Sequence, residues 1–294
     1  MKLLLLRNDY SDFSENFFVE KAVMAGVKLT TALWSDLVID TKNKRSILKV
    51  KDHPLTYFNA VYIRTIKENF YSLTQISTAC KLANIPIIDR SLSIPGRLAD
   101  NKMRQLILVQ RSGMNIPRSI MVSKIFIPEK LGQLNIFPIF IKATDFNKGK
   151  GVFLIKDHRH AKLLINRRIS GKITRNFIIQ EKIDYIRDYR VIVLGKKILG
   201  AIIRKPHGSE IRANIARGGT SVKVGNIPKE LKELALKAAK TLDVEIAGVD
   251  FLEDKNGKFY FLEVNRAFGV EGFEKATGLD VTYEIFRYIK GAYS

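Results

Sequence analysis

Cysteine is almost missing from this chain: Cys80 is the only one among 294 residues. A lone cysteine excludes an internal disulfide framework and suits a reducing, cytoplasmic setting. It lies in the helical pattern SLTQISTACKLANI, where burial is the expected role. Long apolar runs are missing too; none approaches the ~20 residues that span a bilayer, so no membrane partner is expected. The opening MKLLLLRNDY offers only Leu3–Leu6 before Arg7, too short for a secretory core and better read as a buried strand. Proline and glycine are sparse, at 8 and 19, and no repeat or low-complexity segment occurs. With 46% hydrophobic residues the composition is that of a globular protein long enough for two or three lobes. The four histidines are scattered, and His158 and His160 face different sides of a helix, which argues against a metal site there.

Acidic residues are the scarce charge, 29 against 50 basic ones. The excess is concentrated. Residues 101–180 carry 16 basic and 3 acidic side chains, whereas residues 1–100 carry 14 and 10, and residues 181–294 carry 20 and 16. Such a segment suits a polyanion: nucleotide phosphates, an acidic peptide or nucleic acid. A lysine-rich solubilising surface is the alternative.

Three segments follow from the patterning, 1–97, 98–180 and 181–294. The first alternates strands (KLLLLR, KLTTALW, NAVYIRT, IPIID) with helices near 14–25 and 68–83, predicting a small α/β layer with a largely parallel sheet. The second opens with a helix around 100–113. Strands at FPIFIKA and KGVFLIK, a helix near 158–168 and a strand at NFIIQEKI follow. The third holds a hairpin turning at Gly195 and Lys196, an amphipathic helix over 229–242, a second hairpin IAGVDFLEDKNGKFYFLEVN and a closing helix near 281–290.

The second hairpin carries chemistry. Asn256-Gly257 is a strong two-residue turn signal. That turn would set Lys255 against Lys258 and Asp250 against Glu263. Asn265 shares the face of Glu263, because strand side chains alternate. Two carboxylates opposed across a ladder repel unless a positive charge lies between them. With a carboxamide beside them and neither sulfur nor imidazole, they suit Mg²⁺. Exposed acids bridged by lysines are the alternative.

A phosphate side is also legible. Lys142 ends one strand, and Gly149-Lys150-Gly151 precedes the next, where glycine N–H groups could approach phosphate oxygens. No Gly-Lys-Ser/Thr opens a helix, so this is not a Walker motif. RANIARGGTS places Arg212, Asn214 and Arg217 in a loop that, with Arg204, could donate to a transferring phosphoryl group; surface salt bridges are the alternative.

In this order the pieces resemble the ATP-grasp superfamily, and within it the RimK-like carboxylate–amine ligases, over nearly the whole chain. DNKMRQLILVQRSGMNIP carries Lys102 at a family lysine position, and Lys142 matches a second. NKGKGV is similar to the family's TQGIGV. IIQEKI is similar to VQEYI, a hinge where Gln180, Glu181, Lys182 and Ile183 would border adenine. RDYRVIVLG places Asp188 and Arg190 at the ribose and phosphate region. EIRANIARGG is close to DFRSNLHRGG, AGVDFL and LEVN carry Asp250, Glu263 and Asn265, and GVEGFEKATGLDV is nearly GLEGIEKATGIDI.

The resemblance implies an α/β ATP-grasp fold with a pre-ATP-grasp first domain, a mobile lid in the second segment and the metal and substrate site in the third. It implies a cytoplasmic, ATP- and Mg²⁺-dependent ligase, with Mn²⁺ as a substitute metal. The enzyme would activate a carboxylate as an acyl phosphate and join it to an amino acid, glutamate favoured. Arg204, Arg212 and Asn214 would act in catalysis, with Arg204, Arg217 and Arg266 near the substrate. The acceptor would be a peptide, a protein C-terminus or a small cofactor acid. An acidic amino-group carrier protein is a rival acceptor, and a basic RNA- or ribosome-binding protein a rival of another class. Relatives are often homo-oligomers. The chain departs from the family where Arg266-Ala267-Phe268 replaces small residues and proline, and where Ala213 and Ala216 replace serine and histidine. Arg266 is expected either to bind a substrate carboxylate or to point to solvent.

Overall fold

Leu3, Leu4, Leu5 and Leu6 are all fully buried in the computed structural model of the chain. The structure describes residues 1–9, 15–42, 45–66, 69–93, 101–134, 136–144, 151–164, 176–205 and 220–294. A strand buried on both faces belongs inside a parallel sheet covered on two sides, and that is where the leucine run sits. The first third comprises β1 (Lys2–Arg7), α1 (Glu15–Met24), β2 (Lys28–Leu33), β3 (Leu37–Lys42), β4 (Arg45–Val50), β5 (His53–Pro54), β6 (Ala60–Ile63), α2 (Phe70–Leu82) and β7 (Ile87–Ile88). Strands β2, β1, β6 and β7 pair in that order, all parallel. The small antiparallel sheet β3–β4–β5 was not foreseen. Val38, Ile39 and Ile47 are exposed on it, while Leu48 and Val50 turn into a core with Trp34, Leu55 and Phe58.

The middle comprises α3 (Lys102–Arg111), β8 (Ser119–Ser123), α4 (Ile127–Gln133), β9 (Ile139–Ala143), β10 (Val152–Ile155), α5 (His158–Leu164) and β11 (Asn176–Glu181). Its antiparallel sheet runs β10–β9–β11–β8, with α4 and α5 packed on one another beside it. Strand β8 and helix α4, too short for a clear period, are additions to the sequence expectation.

The last third comprises β12 (Tyr185–Leu194), β13 (Lys197–Lys205), β14 (Thr220–Lys223), α6 (Lys229–Leu242), β15 (Ile246–Asp254), β16 (Phe259–Asn265), α7 (Val270–Thr277) and α8 (Val281–Tyr293). Its sheet runs β14–β13–β12–β15–β16, antiparallel throughout. One face packs on α3 and α6 through Val191, Val193, Ala235, Ala239, Val249 and Phe261. The other shares a core with the first sheet, where Ile192 and Ile246 join Leu3, Leu5, Phe273 and Phe286. The polar site grows from the outer end of that second face.

The β15–β16 turn corrects the two-residue expectation. Asp254 N–H donates to Lys258 O (3.0 Å) and Gly257 N–H to Asp254 O (3.0 Å), so the loop has three residues. Only Gly257 takes a left-handed φ, +79°, as a three-residue hairpin needs. Asp254 Oδ1 accepts from the N–H groups of Asn256 and Lys258 (both 2.9 Å), fixing the turn. The longer loop shifts the register by one near the turn, pairing Phe251 with Phe261. A bulge then restores the opposition of Asp250 and Glu263. The expected pairing is present, but a bulge creates it.

Candidate active site

Strand alternation places Asp188 and Arg190 on one face of β12, and the ladder sets Arg190 beside Asp250 and Asp250 beside Glu263. Arg204 on β13 pairs with Asp188. A charged grid results across four neighbouring strands. Arg190 grips Asp250 bidentately, Nε to Oδ1 and Nη2 to Oδ2, both 2.8 Å. Arg204 Nη1 donates to Asp250 Oδ2 at 3.0 Å, and its Nε donates to Asp188 Oδ1 at 3.1 Å. Asp250 is buried, so a charge there is tolerable only when paired and hydrogen-bonded. Burial pushes the Asp188 carboxyl up to about 6, against the pull of Arg204. Burial opposes the Arg204 charge, but Asp250 and Asp188 more than restore it and raise its affinity for the proton.

Asn265 Nδ2 donates to Asp250 Oδ2 (3.2 Å) and to Glu263 Oε1 (3.1 Å). The amide thus stands where its partially positive hydrogens separate two carboxylates. A hard cation suits that position, and with the carboxamide oxygen turned inward the set becomes all-oxygen. The donor set therefore fits Mg²⁺. Among the described residues no group of three His, Cys, Asp or Glu side chains is placed to hold a metal ion; the third donor is the carboxamide.

Two lysines reach the same place from other elements. Lys102, in the first turn of α3, lies 3.7 Å from Glu263 Oε2. Lys142 on β9 donates to Gln180 Oε1 on β11, and Gln180 Nε2 in turn donates to Ser119 Oγ at 2.8 Å. Burial, with the charge of Lys102 nearby, lowers the Lys142 ammonium to about 8. Burial disfavours the Glu263 carboxylate, yet Lys102, the Asn265 amide, Lys142 and Arg190 outweigh it and hold the group at about 2. Three carboxylates therefore face four cations, a balance suited to phosphate oxygens.

Gly151 closes the β9–β10 turn at φ +75°, its carbonyl accepting from Ala143 N–H at 2.9 Å. Gly149, Arg212, Asn214 and Arg217 lie outside the described residues. Along the hinge Ile183 is buried. The N–H groups of Glu181 and Lys182 are already taken up, by Arg118 O (2.9 Å) and Pro138 O (3.3 Å).

Arg266 meets neither expectation. It is 3% exposed, so it does not point to solvent. Its Nη1 donates to Ile63 O at 3.1 Å and lies 3.7 Å from Asp89 Oδ2. The β16 strand ends beside the parallel sheet, so the side chain after Asn265 is driven inward. Arg64 answers from the sheet, its Nη2 donating to Phe268 O at 3.3 Å. Asp89 is fully buried, and burial pushes its carboxyl up to about 6 despite Arg266 and the N–H groups of Glu245 (2.7 Å) and Ile246 (2.9 Å). Phe268 packs so close to Gly248 that a Cβ there would stand 2.9 Å from its own. Neither Arg64 nor Asp89 was singled out from sequence; Asp89 follows IPII at a strand end, the one available signal.

Comparison with known proteins agrees with this geometry. Residues 99–289 match the model of the RimK-like ATP-grasp domain. A probable alpha-L-glutamate ligase of Legionella pneumophila (strain Corby) is 30% identical over 295 residues, covering 99% of this chain and 95% of the relative. The ATP-grasp ligase PsnB, solved with a phosphomimetic variant of its minimal precursor, Mg and ADP, superposes with a TM-score of 0.73 at 16% identity, covering 99% of this chain and 98% of that one. A RiPP-associated ATP-grasp ligase of Chryseobacterium gregarium, in complex with ADP and a leader and core peptide, gives 0.69 at 14%, covering 100% and 97%. At these identities the two structures establish the fold. The chain belongs to the RimK-like ATP-grasp family and is an ATP-dependent ligase. No helix among the described residues is long and apolar enough to cross a membrane.

Proposed function

We propose that this ligase joins an amino acid, glutamate favoured, to a carboxylate of a peptide, a protein C-terminus or a small acid, which ATP first activates as an acyl phosphate. The observation that carries this reading is the convergence of Asp250, Glu263 and Asn265 with Arg190, Arg204, Lys102 and Lys142. Asp250, Glu263 and Asn265 would hold Mg²⁺, or Mn²⁺ in its place. Bound there, the metal would offset charge on phosphate oxygens.

The chain's own residues supply positioning and charge. Lys102 and Lys142 would hold the nucleotide phosphates, and Gln180 aims Lys142. Arg190 and Arg204 pair with Asp250 and Asp188 and hold them in place, and Arg204 would steady the charge that develops on transfer. Arg212 and Asn214, from the family-like EIRANIARGG motif, would complete the phosphate-facing set. The strongly basic segment 98–180 would act as the lid and favour an acidic acceptor. The relative named as a glutamate ligase and the peptide-bound neighbours support these choices. The test is phosphate release from ATP and Mg²⁺ against a panel of amino acids and acidic peptides, with products identified by mass spectrometry. Turnover should require one amino acid, gain an amide product and vanish in Asp250→Asn. Release that ignores both amino acid and acceptor would refute the reading.

A further inference from the structure

Among the described residues strand β16 ends its sheet, and one of its edges lacks a neighbouring strand. The two ligand candidates Glu263 and Asn265 flank Val264 on that strand. An edge residue presents an N–H and a C=O that must find other partners when buried. Val264 is buried, and a single side chain meets both needs. Gln105 Oε1 accepts from Val264 N–H at 2.8 Å, and Gln105 Nε2 donates to Val264 O at 3.0 Å. The carboxamide thus reproduces the paired bonds of an adjoining strand. Gln105 is itself buried, so the bonds form away from competing water.

Its position on α3 gives this contact a purpose. Lys102 lies three residues earlier on the same helix and so on the same face. That lysine lies 3.7 Å from Glu263 Oε2. One helix therefore fixes the strand backbone between the ligands and places a cation against one of them. Asn115 provides a built-in contrast. Its side-chain Nδ2 donates to Phe259 O at 3.3 Å and its backbone carbonyl accepts from Phe261 N–H at 2.9 Å, on the same strand edge but away from the ligands.

We infer that Gln105 is a positioning residue that sets the spacing of Glu263 and Asn265 for a divalent cation by clamping Val264. The inference rests on the metal role proposed above for those two residues. A shell residue of this kind typically changes metal affinity by about 10–100-fold when lost.

The test uses calorimetric titration of the full chain with ADP, with and without Mg²⁺, and reads the factor by which the metal improves binding. Gln105→Leu should reduce that factor about tenfold and leave metal-free ADP binding little changed. Gln105→Glu keeps the acceptor for Val264 N–H and loses the donor to Val264 O. It should also reduce the factor, and it stands in if the leucine variant does not fold. Asn115→Ala should lower the melting temperature without moving the factor. Glu263→Gln is the reference for the premise. An unchanged factor in Gln105→Leu alone, with Glu263→Gln reduced, overturns the positioning role. An unchanged factor in both overturns it through the metal assignment. Equal losses in Gln105→Leu and Asn115→Ala would show generic strand support and overturn it as well.

Discussion

Two buried charge clusters meet where β16 ends, and they differ in what surrounds them. Asp250 and Glu263 sit among Arg190, Arg204, Lys102 and Lys142, and the Lys102 and Glu263 side chains keep 25% and 30% of their surface exposed. Arg266, one residue beyond Asn265, sits with Arg64 and Asp89; all three are 0–3% exposed, and the two arginines donate both ways to the backbone of the opposite segment. The chemistry of the side chains is nearly the same. The first cluster has solvent access and more cations than acids, so an anionic ligand can enter and be held. The second is closed and joins the parallel sheet to the loop after β16. Accessibility, more than residue type, separates a site from a clasp.

The sharpest way to break this contrast is to neutralise one member of each cluster. Glu263→Gln should lower turnover by about two to three orders of magnitude while the melting temperature moves little; phosphate release and a thermal melt report both. Arg266→Met should do the reverse. Leaving Asp89 buried without its guanidinium should cost about 3 kcal/mol of stability, with the KM for ATP unchanged within about threefold. A chemical denaturation curve and steady-state kinetics would show it.

A smaller effect concerns pH. Lys142 titrates near 8, so its charge is present below that value and is lost as pH rises through it. ATP binding should weaken above pH 8, and Lys142→Arg, which stays charged, should flatten that limb in a nucleotide titration. The smallest effect belongs to the exposed pair Lys275–Glu271, 2.7 Å apart on α7. Lys275→Ala should leave the midpoint of the same denaturation curve essentially unchanged.

Much of this was legible because it depends on local rules. Helix α6 lies at 229–242 as its amphipathic period indicates, and Cys80 is buried, its thiol pushed up to about 12 by desolvation. Asp250, Glu263 and Asn265 converge as alternation requires. The turn shows the limit of such rules. Asn256-Gly257 announces a hairpin, yet one additional turn residue and a compensating bulge leave the same acids opposed, and no local signal distinguishes these routes. Arg266 shows a second limit: its fate depends on Asp89 and Ile63, far away in sequence.

By itself the sequence determined the family, the strand that carries the acidic and amide donors and the lysines able to face them, because residue type and spacing carry that information within one element. Which charges are open and which are sealed, and that Gln105 completes the edge of β16, emerge once the segments have packed. Those outcomes depend on solvent access and on hydrogen bonds between segments distant in the chain, which no window along it contains.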